Sequence, residues 1–253
     1  MDVIGRNLLL RLPEQEFLRR YACYIVGLYI VAFGISMIFL SGTGTSPVSS
    51  WAFVMDNNTP LTAGTYTFII NIAMILGSIL ILHKHGLRKE KWNILLQIPF
   101  SALFGIFIDS SRNTIQWGMD MLGLTESMPY WCALVMLFLG IIIQAWGIFL
   151  EVRPHVTMMS AEAFVNYFCS RAHKEFGAIK VWFDVTLVTL GVLCSIAFAC
   201  DRAGVISIGA IIDGVLGGVR EGTIIAALLV GRCVTLIKNR YGVMLDNWFV
   251  KKE

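Results

Sequence analysis

Residues 21–55 read YACYIVGLYIVAFGISMIFLSGTGTSPVSSWAFVM, 35 consecutive positions without a charge. As a single helix rising ~1.5 Å per residue they would extend about 52 Å. The hydrocarbon core of a bilayer is only about 30 Å thick and is crossed by about 20 residues. The excess has to leave the helix, and Gly42, Gly44 and Pro47 mark where. Glycine reaches backbone conformations closed to other residues, and proline lacks the N–H that a helix interior needs. The sequence predicts a spanning helix that ends near Leu40, then an irregular stretch or a short returning half-helix over Ser41–Met55.

The rest of the chain has the same character. Of 253 residues, 57% are hydrophobic and 15% charged, with a mean hydropathy of +0.71. Soluble domains carry about 25% charged residues, so a water-soluble globule and a disordered chain are both excluded. A net charge of +3 is too small for a nucleic-acid binder. Further spans are predicted at Thr62–Leu82, Trp92–Ile108, Tyr130–Leu150, Ile179–Ala199 and Gly222–Ile237, six in all, with 203–219 inserted before the last. Basic residues test this count, because they gather on the cytoplasmic side. With the amino terminus inside, sixteen of the twenty fall on inner segments, four in each. Only Arg112, Arg202 and Arg220 fall outside, and Arg232 lies within a span. Both termini are therefore expected in the cytoplasm. Six singly scattered cysteines without CxxC spacing indicate neither a zinc site nor a redox pair.

The two halves resemble each other. Gly27, Ala32, Phe33, Gly34 and Ile35 match Gly140, Ala145, Trp146, Gly147 and Ile148 at an offset of 113, which also pairs Gly64 with Gly177 and Asn71 with Asp184. At an offset of 111, Ser49, Ala52, Phe53 and Val54 match Ser160, Ala163, Phe164 and Val165. Three spans per repeat is odd, so the halves must face opposite ways across the membrane. The expected fold is an all-α polytopic membrane protein, a 3+3 inverted repeat of six transmembrane helices with two broken, re-entrant segments. Residues 1–20 would be a cytoplasmic lead, 21–125 and 126–240 the repeats, and 241–253 a cytoplasmic tail. Irregular backbone at membrane depth lines a cavity or is buried in protein. The two breaks, Ser41–Met55 and His155–Tyr167, are thus the expected pathway elements.

Polar residues at membrane depth need a reason. Asp184 and its counterpart Asn71 lie within spans, and Glu162 sits in the second break beside Ser160. The first break holds the hydroxyls Thr43, Thr45, Ser46, Ser49 and Ser50. With Gln97 of the third span, these ten residues form the expected substrate-binding set. Asp184 has a plainer reading as an ion pair with Lys180 near the inner boundary, and one or two of the hydroxyls as helix caps. Gln97 and Gln144 also read as interhelical glue, and Arg220–Glu221 as a rim salt bridge. No HExxH, P-loop or GxSxG sequence occurs, so neither an enzyme nor a nucleotide-driven pump is expected, and no cofactor or metal.

The run Gly44-Thr-Ser-Pro-Val-Ser-Ser50, then Gly64-Thr-Tyr-Thr-Phe68 with Asn71, Gln97-Ile-Pro99 and Phe104-Gly-Ile-Phe-Ile-Asp109, resembles the first half of YczE/YyaS/YitT-type bacterial membrane proteins. Lys180-Val-Trp-Phe-Asp184 and the run from Val219-Arg-Glu-Gly-Thr223 to Gly231 resemble the second half. Where the relatives have glycine before the carboxylate matched by Glu162, this chain has Ala161. The resemblance implies a multi-pass protein of the bacterial inner membrane and leaves the substrate open. Inverted repeats with midplane breaks are characteristic of secondary transporters. The expected function is therefore a transporter or permease for a small polar or amphipathic solute. A non-transporting scaffold for a partner enzyme or sensor is the alternative. The expected partners are the bilayer and a small-molecule solute, with a homo-oligomer left open.

Overall fold

The computed structural model describes residues 14–82, 84–124, 128–203, 209 and 220–249. Arg6, Arg11, His83, the insertion apart from Ala203 and Gly209, and Lys251 and Lys252 lie outside the described residues. The described chain is all-α. Its helices are α1 (Glu14–Leu40), α2 (Ser50–Asn58), α3 (Ala63–Ile81), α4 (Lys84–Met121), α5 (Tyr130–Val152), α6 (Ser160–Ala172), α7 (Phe176–Ala203) and α8 (Glu221–Phe249), with a 3-10 turn at Pro47–Ser49.

Five of these helices, α1, α3, α4, α5 and α7, are long and apolar enough to cross a membrane. Large apolar side chains such as Leu80, Ile106, Trp131, Val181 and Trp182 face outward along them. Contiguous apolar surface of this kind marks contact with lipid, so the protein is membrane-embedded. The helix predicted at Gly222–Ile237 exists as α8 but is not one of the five. It contains Arg232 and runs on through Lys238, Asn239 and Arg240. The third span is longer than Trp92–Ile108, since α4 continues unbroken through Pro99 and Asp109.

The centre is an antiparallel crossing of α1 and α5 built on four glycines. A Cβ placed on Gly27 would lie 2.6 Å from the Glu151 amide nitrogen, and one on Gly34 2.5 Å from that of Gln144. Gly147 meets Val31 N at 2.5 Å and Gly140 meets Ile38 Cγ1 at 2.7 Å in the same way. Without side chains at these positions the two backbones come into direct contact, as small residues allow between membrane helices. The contacts have an internal order. Raising the α1 residue by 113 and lowering its α5 partner by 113 turns Gly27·Glu151 into Gly140·Ile38, and Gly34·Gln144 into Gly147·Val31.

Short helices α2 and α6 are each wedged between α3 and α7. Gly77 on α3 makes room for the Phe164 ring of α6, and Gly191 on α7 for Ser50 and Trp51 of α2. Helix α6 begins where Ser160 meets Ser101, midway along α4, and reaches the end of the bundle nearest the start of α1, where Tyr167 meets Glu90. We call that end proximal; Arg20 there caps the Pro154 carbonyl and Arg153 pairs with Asp246. Helix α2 begins beside Gly191, midway along α7, and ends at the opposite, distal end. There Asp56 pairs with Arg112, and Asn58 accepts from Arg202. Both short helices thus start in the middle of the bundle and leave by opposite ends.

Candidate functional site

Three groups of polar residues follow the long axis of the bundle. In the distal group, the first break docks the start of α8. Gly222 N donates to Thr43 O at 2.8 Å, Thr45 N to Thr223 Oγ1 at 3.1 Å, and Arg220 to Gly42 O at 2.5 Å. Gly222 has to be glycine, since a Cβ would fall 2.7 Å from Thr43 O. Gly44, at φ 146, lies equally close to Thr223. The Arg-Glu-Gly-Thr run therefore earns its place as a clasp on residues 42–45. Thr43 hydrogen-bonds Ser41 at 2.7 Å and Thr45 donates to Ser46 O at 3.2 Å. These hydroxyls are spent within the fold. Neither Ser46 nor Ser49 caps its helix with its side chain, so the capping reading does not hold for them.

The middle group lies among α3, α4 and the first turn of α6. Helices α3 and α4 touch backbone to backbone at Gly64 and Gly105, and the Gly64 amide donates to Asp109 at 2.8 Å. Two turns along α3 from Gly64 comes Asn71, and two turns back along α4 from Gly105 comes Gln97. Because the helices are antiparallel, these two amides share one depth. One turn on from Gln97, Ser101 Oγ lies 2.9 Å from Ser160 Oγ at the start of α6. Gln97 is 2% exposed and Asn71 4%. Among the described residues, Asn71 Nδ2 and both Nε2 and Oε1 of Gln97 have no hydrogen-bond partner. Buried polar atoms are paired in more than nine cases of ten, so three orphans at one depth make this layer a candidate site; Ser111 Oγ and Gln144 Oε1 are the other two orphans among the described residues. The start of α6 adds to this. Its N-cap residue, Met159, makes no side-chain cap hydrogen bond, so the first-turn N–H groups beside Ser101 lack a side-chain cap.

The Ser101–Ser160 contact is itself testable. Thermal unfolding of Ser101→Ala, Ser160→Ala and the double variant is expected to give a coupling energy of about 1 kcal/mol. A coupling near zero would mean that the hydroxyls do not depend on each other.

The proximal group consists of Tyr24 on α1, Glu151 on α5 and Glu162 on α6. Tyr24 is wholly buried and Glu151 is 5% exposed, while Glu162 is half-buried. Tyr24 Oη donates to Met159 Sδ at 4.0 Å, and its ring meets Phe100 edge-on at 4.8 Å. The charges of Glu151 and Glu162 act on Tyr24, that of Glu162 acts on Glu151, and those of Lys180 and Asp184 act on Glu162. Beside them His155, which holds φ 55, has its imidazole pushed below its ordinary range by burial and by Arg20 and Arg153.

Of the ten expected site residues, Asn71 and Gln97 stand at one depth on α3 and α4, and Ser160 and Glu162 lie in the first turn of α6. Thr43, Thr45 and Ser46 stand apart with the distal clasp. Ser49 and Ser50 begin α2 beside α7. Asp184 is bonded to Lys180 at 2.8 Å, as its plainer reading had it. Ser101 and Glu151 were not foreseen. Ser101 is an ordinary serine in an apolar run. Glu151 stands at the end of a span, where a charge needs no special reason; it is buried, and its backbone packs against Gly27.

The profile of DUF6198, described as a family of unknown function, matches residues 18–239. The chain belongs to DUF6198. No curated protein and no solved structure matches it. The DUF6198 match runs from α1 into α8 and includes every residue of the three polar groups. The family relation carries no activity with it, so function has to be argued from the layer of orphaned amides and the helices around it.

Proposed function

We propose that this DUF6198 protein is a secondary transporter of a small polar solute, bound in the middle layer by Asn71, Gln97, Ser101 and Ser160. In this reading the chain forms six spans as a 3+3 inverted repeat in the bacterial inner membrane, with both termini cytoplasmic. The resemblance to YczE/YyaS/YitT-type proteins belongs to the same reading. Support for the repeat comes from the α1–α5 contacts, which the offset of 113 exchanges with one another. The short helices support it too, each starting at mid-depth and held between α3 and α7. The offset of 111 even pairs Gly44 with His155, two residues with positive φ.

The observation that carries the proposal is the trio of unpartnered amide atoms on Asn71 and Gln97 at the start of a half-helix. A buried amide left unpaired costs about 1–3 kcal/mol, and a solute offering both a donor and an acceptor removes that cost on binding. Rocking of one repeat against the other would then open the layer to each end in turn.

The test is flux. Purified protein in liposomes should take up at least one member of a panel of labelled small polar metabolites, and Asn71→Leu should reduce that uptake tenfold or more. Folded, reconstituted protein that moves no member of a broad panel under any imposed gradient would count against transport and favour a scaffold.

A further inference from the structure

The exchange that relates α1 to α5 extends to the helices around them, with one exception. It turns α4 packed on α1 into α8 packed on α5, and both packings occur. It turns α6 against α3 into α2 against α7, and α2 against α3 into α6 against α7, and all four occur. Helix α3 also packs on α4. Its exchanged form would be α7 on α8, and among the described residues no comparable packing joins those two helices.

Glycines mark the contact that is missing. In the first repeat Gly64 and Gly105 are buried against each other, and a Cβ on Gly105 would fall 2.6 Å from the Gly64 carbonyl oxygen. One turn on, Asp109 accepts from the Gly64 amide at 2.8 Å and from the Thr62 hydroxyl at 2.7 Å. This seam is therefore latched on the distal side of the Asn71–Gln97 layer. The repeat aligns Gly64 with Gly177 of α7, and the run Ser101–Gly105 with Ala227–Gly231 of α8. Gly177 and Gly231 are both exposed, and nothing lies within 4 Å of a Cβ on either. Thr235, aligned with Asp109, is exposed too, its hydroxyl bonded back to Gly231 O at 2.9 Å. Glycine weakens a helix interior unless its missing side chain is put to use, and in this conformation nothing uses Gly231. Helix α7 starts at the proximal end, directly after α6, so the unlatched seam begins there.

Two repeats of one design thus hold the same joint in two conformations, one shut and one parted. We propose that the α3–α4 seam at Gly64 and Gly105 and the α7–α8 seam at Gly177 and Gly231 are the two alternating gates of the transporter, a proposal that rests on the transport reading. The structure has the distal gate closed and the proximal gate open. In the opposite state each repeat takes the conformation of the other: α7 closes on α8, with Thr235 in the place of Asp109, and α3 parts from α4. Pseudo-symmetry keeps the two states close in free energy, so both are populated.

Gly231→Leu tests this. The parted seam has room for the new side chain, so the variant should melt as the parent does. Uptake of the panel should nevertheless fall tenfold or more, because α7 can no longer close on α8. Unchanged uptake would overturn the proposal, and a variant that cannot fold would mean that α7 already lies on α8. Spin-label distances measured in lipid read the exchange without a solute. Labels at Val181→Cys and Leu228→Cys, exposed positions on α7 and α8, report one seam, and labels at Ile69→Cys and Ile98→Cys on α3 and α4 report the other. Each pair is placed in a chain whose six native cysteines are replaced by alanine. The α7–α8 pair should show a second, shorter distance and the α3–α4 pair a second, longer one, and Gly231→Leu should remove both. A single distance at each seam would overturn the exchange. So would a short α7–α8 distance that vanishes on dilution with unlabelled chains, since that marks contact between copies. Exchanging distances with no uptake of any panel member would remove the transport reading and leave the paired seams standing.

Discussion

Leucine in place of Gly34 is expected to abolish a folded, monodisperse protein, or to lower its stability by about 3 kcal/mol or more, the upper range for overpacking. The reason is where the new side chain lands. Its Cβ would fall 2.5 Å from the Gln144 amide nitrogen and 2.8 Å from Gln144 Cα. These are backbone atoms of α5 and cannot rotate away as a side-chain tip does. Relief requires moving α1 off α5, and with it the contacts at Gly27, Gly140 and Gly147. Gly147→Leu, the mirror change against Val31 and Ile30, should cost a similar amount, since the offset of 113 makes the two sites equivalent. Gly118→Leu on α4 is the control, because nothing lies within 4 Å of its Cβ. There the change should be neutral or favourable by up to ~1 kcal/mol through helix propensity. Thermal unfolding in detergent reads all three. Equal midpoints for Gly34→Leu and Gly118→Leu would mean that the helices do not cross at this distance.

Much of this architecture was legible in the chain because it depends on local, categorical signals. A 35-residue uncharged run cannot be one span, and Gly42, Gly44 and Pro47 can break a helix only where they stand. Glycines recurring at fixed offsets announced close contact, although not with which partner; the antiparallel meeting of Gly27 with Glu151 is a fact of tertiary packing. The same limit explains Glu151. Its neighbours Leu150 and Val152 say only that a span is ending, and a carboxylate there normally reaches water. Here the backbone of Glu151 meets Gly27 of α1, 124 positions earlier. The hydroxyl-rich break is ambiguous for the opposite reason. Five hydroxyls in eight positions look like a binding site, yet the Thr43 hydroxyl bonds Ser41 and the Thr45 hydroxyl donates to Ser46 O, while the Thr43 carbonyl and the Thr45 amide make the clasp with Gly222 and Thr223. A run of sequence does not say whether its hydroxyls face a solute or a distant loop. Asp184 was decided by helix geometry alone, because Lys180 lies one turn away on the same face, and the ion pair formed.

Gln97→Leu is expected to make the protein more stable and less able to bind the proposed solute, and Asn71→Leu to do the same to a smaller degree. Gln97 brings two orphaned polar atoms into a setting with 2% exposure, and Asn71 brings one. An apolar side chain of similar volume removes the desolvation penalty of those atoms, about 1–3 kcal/mol for each unsatisfied group. The unliganded protein should therefore melt several degrees higher. Binding should move the other way. Losing the hydrogen bonds that a solute makes to one amide is worth about 1.4 kcal/mol or more, a tenfold or greater loss of affinity. A solute that scores in the uptake panel should thus raise the melting temperature of the unmodified protein and have little effect on either variant. If both amides only joined helices, their removal would break contacts, and Gln97→Leu would melt lower than the parent with or without solute. Stability gained together with binding lost is the pattern of a site that holds unsatisfied groups ready for a ligand, and a purely structural amide does not produce it.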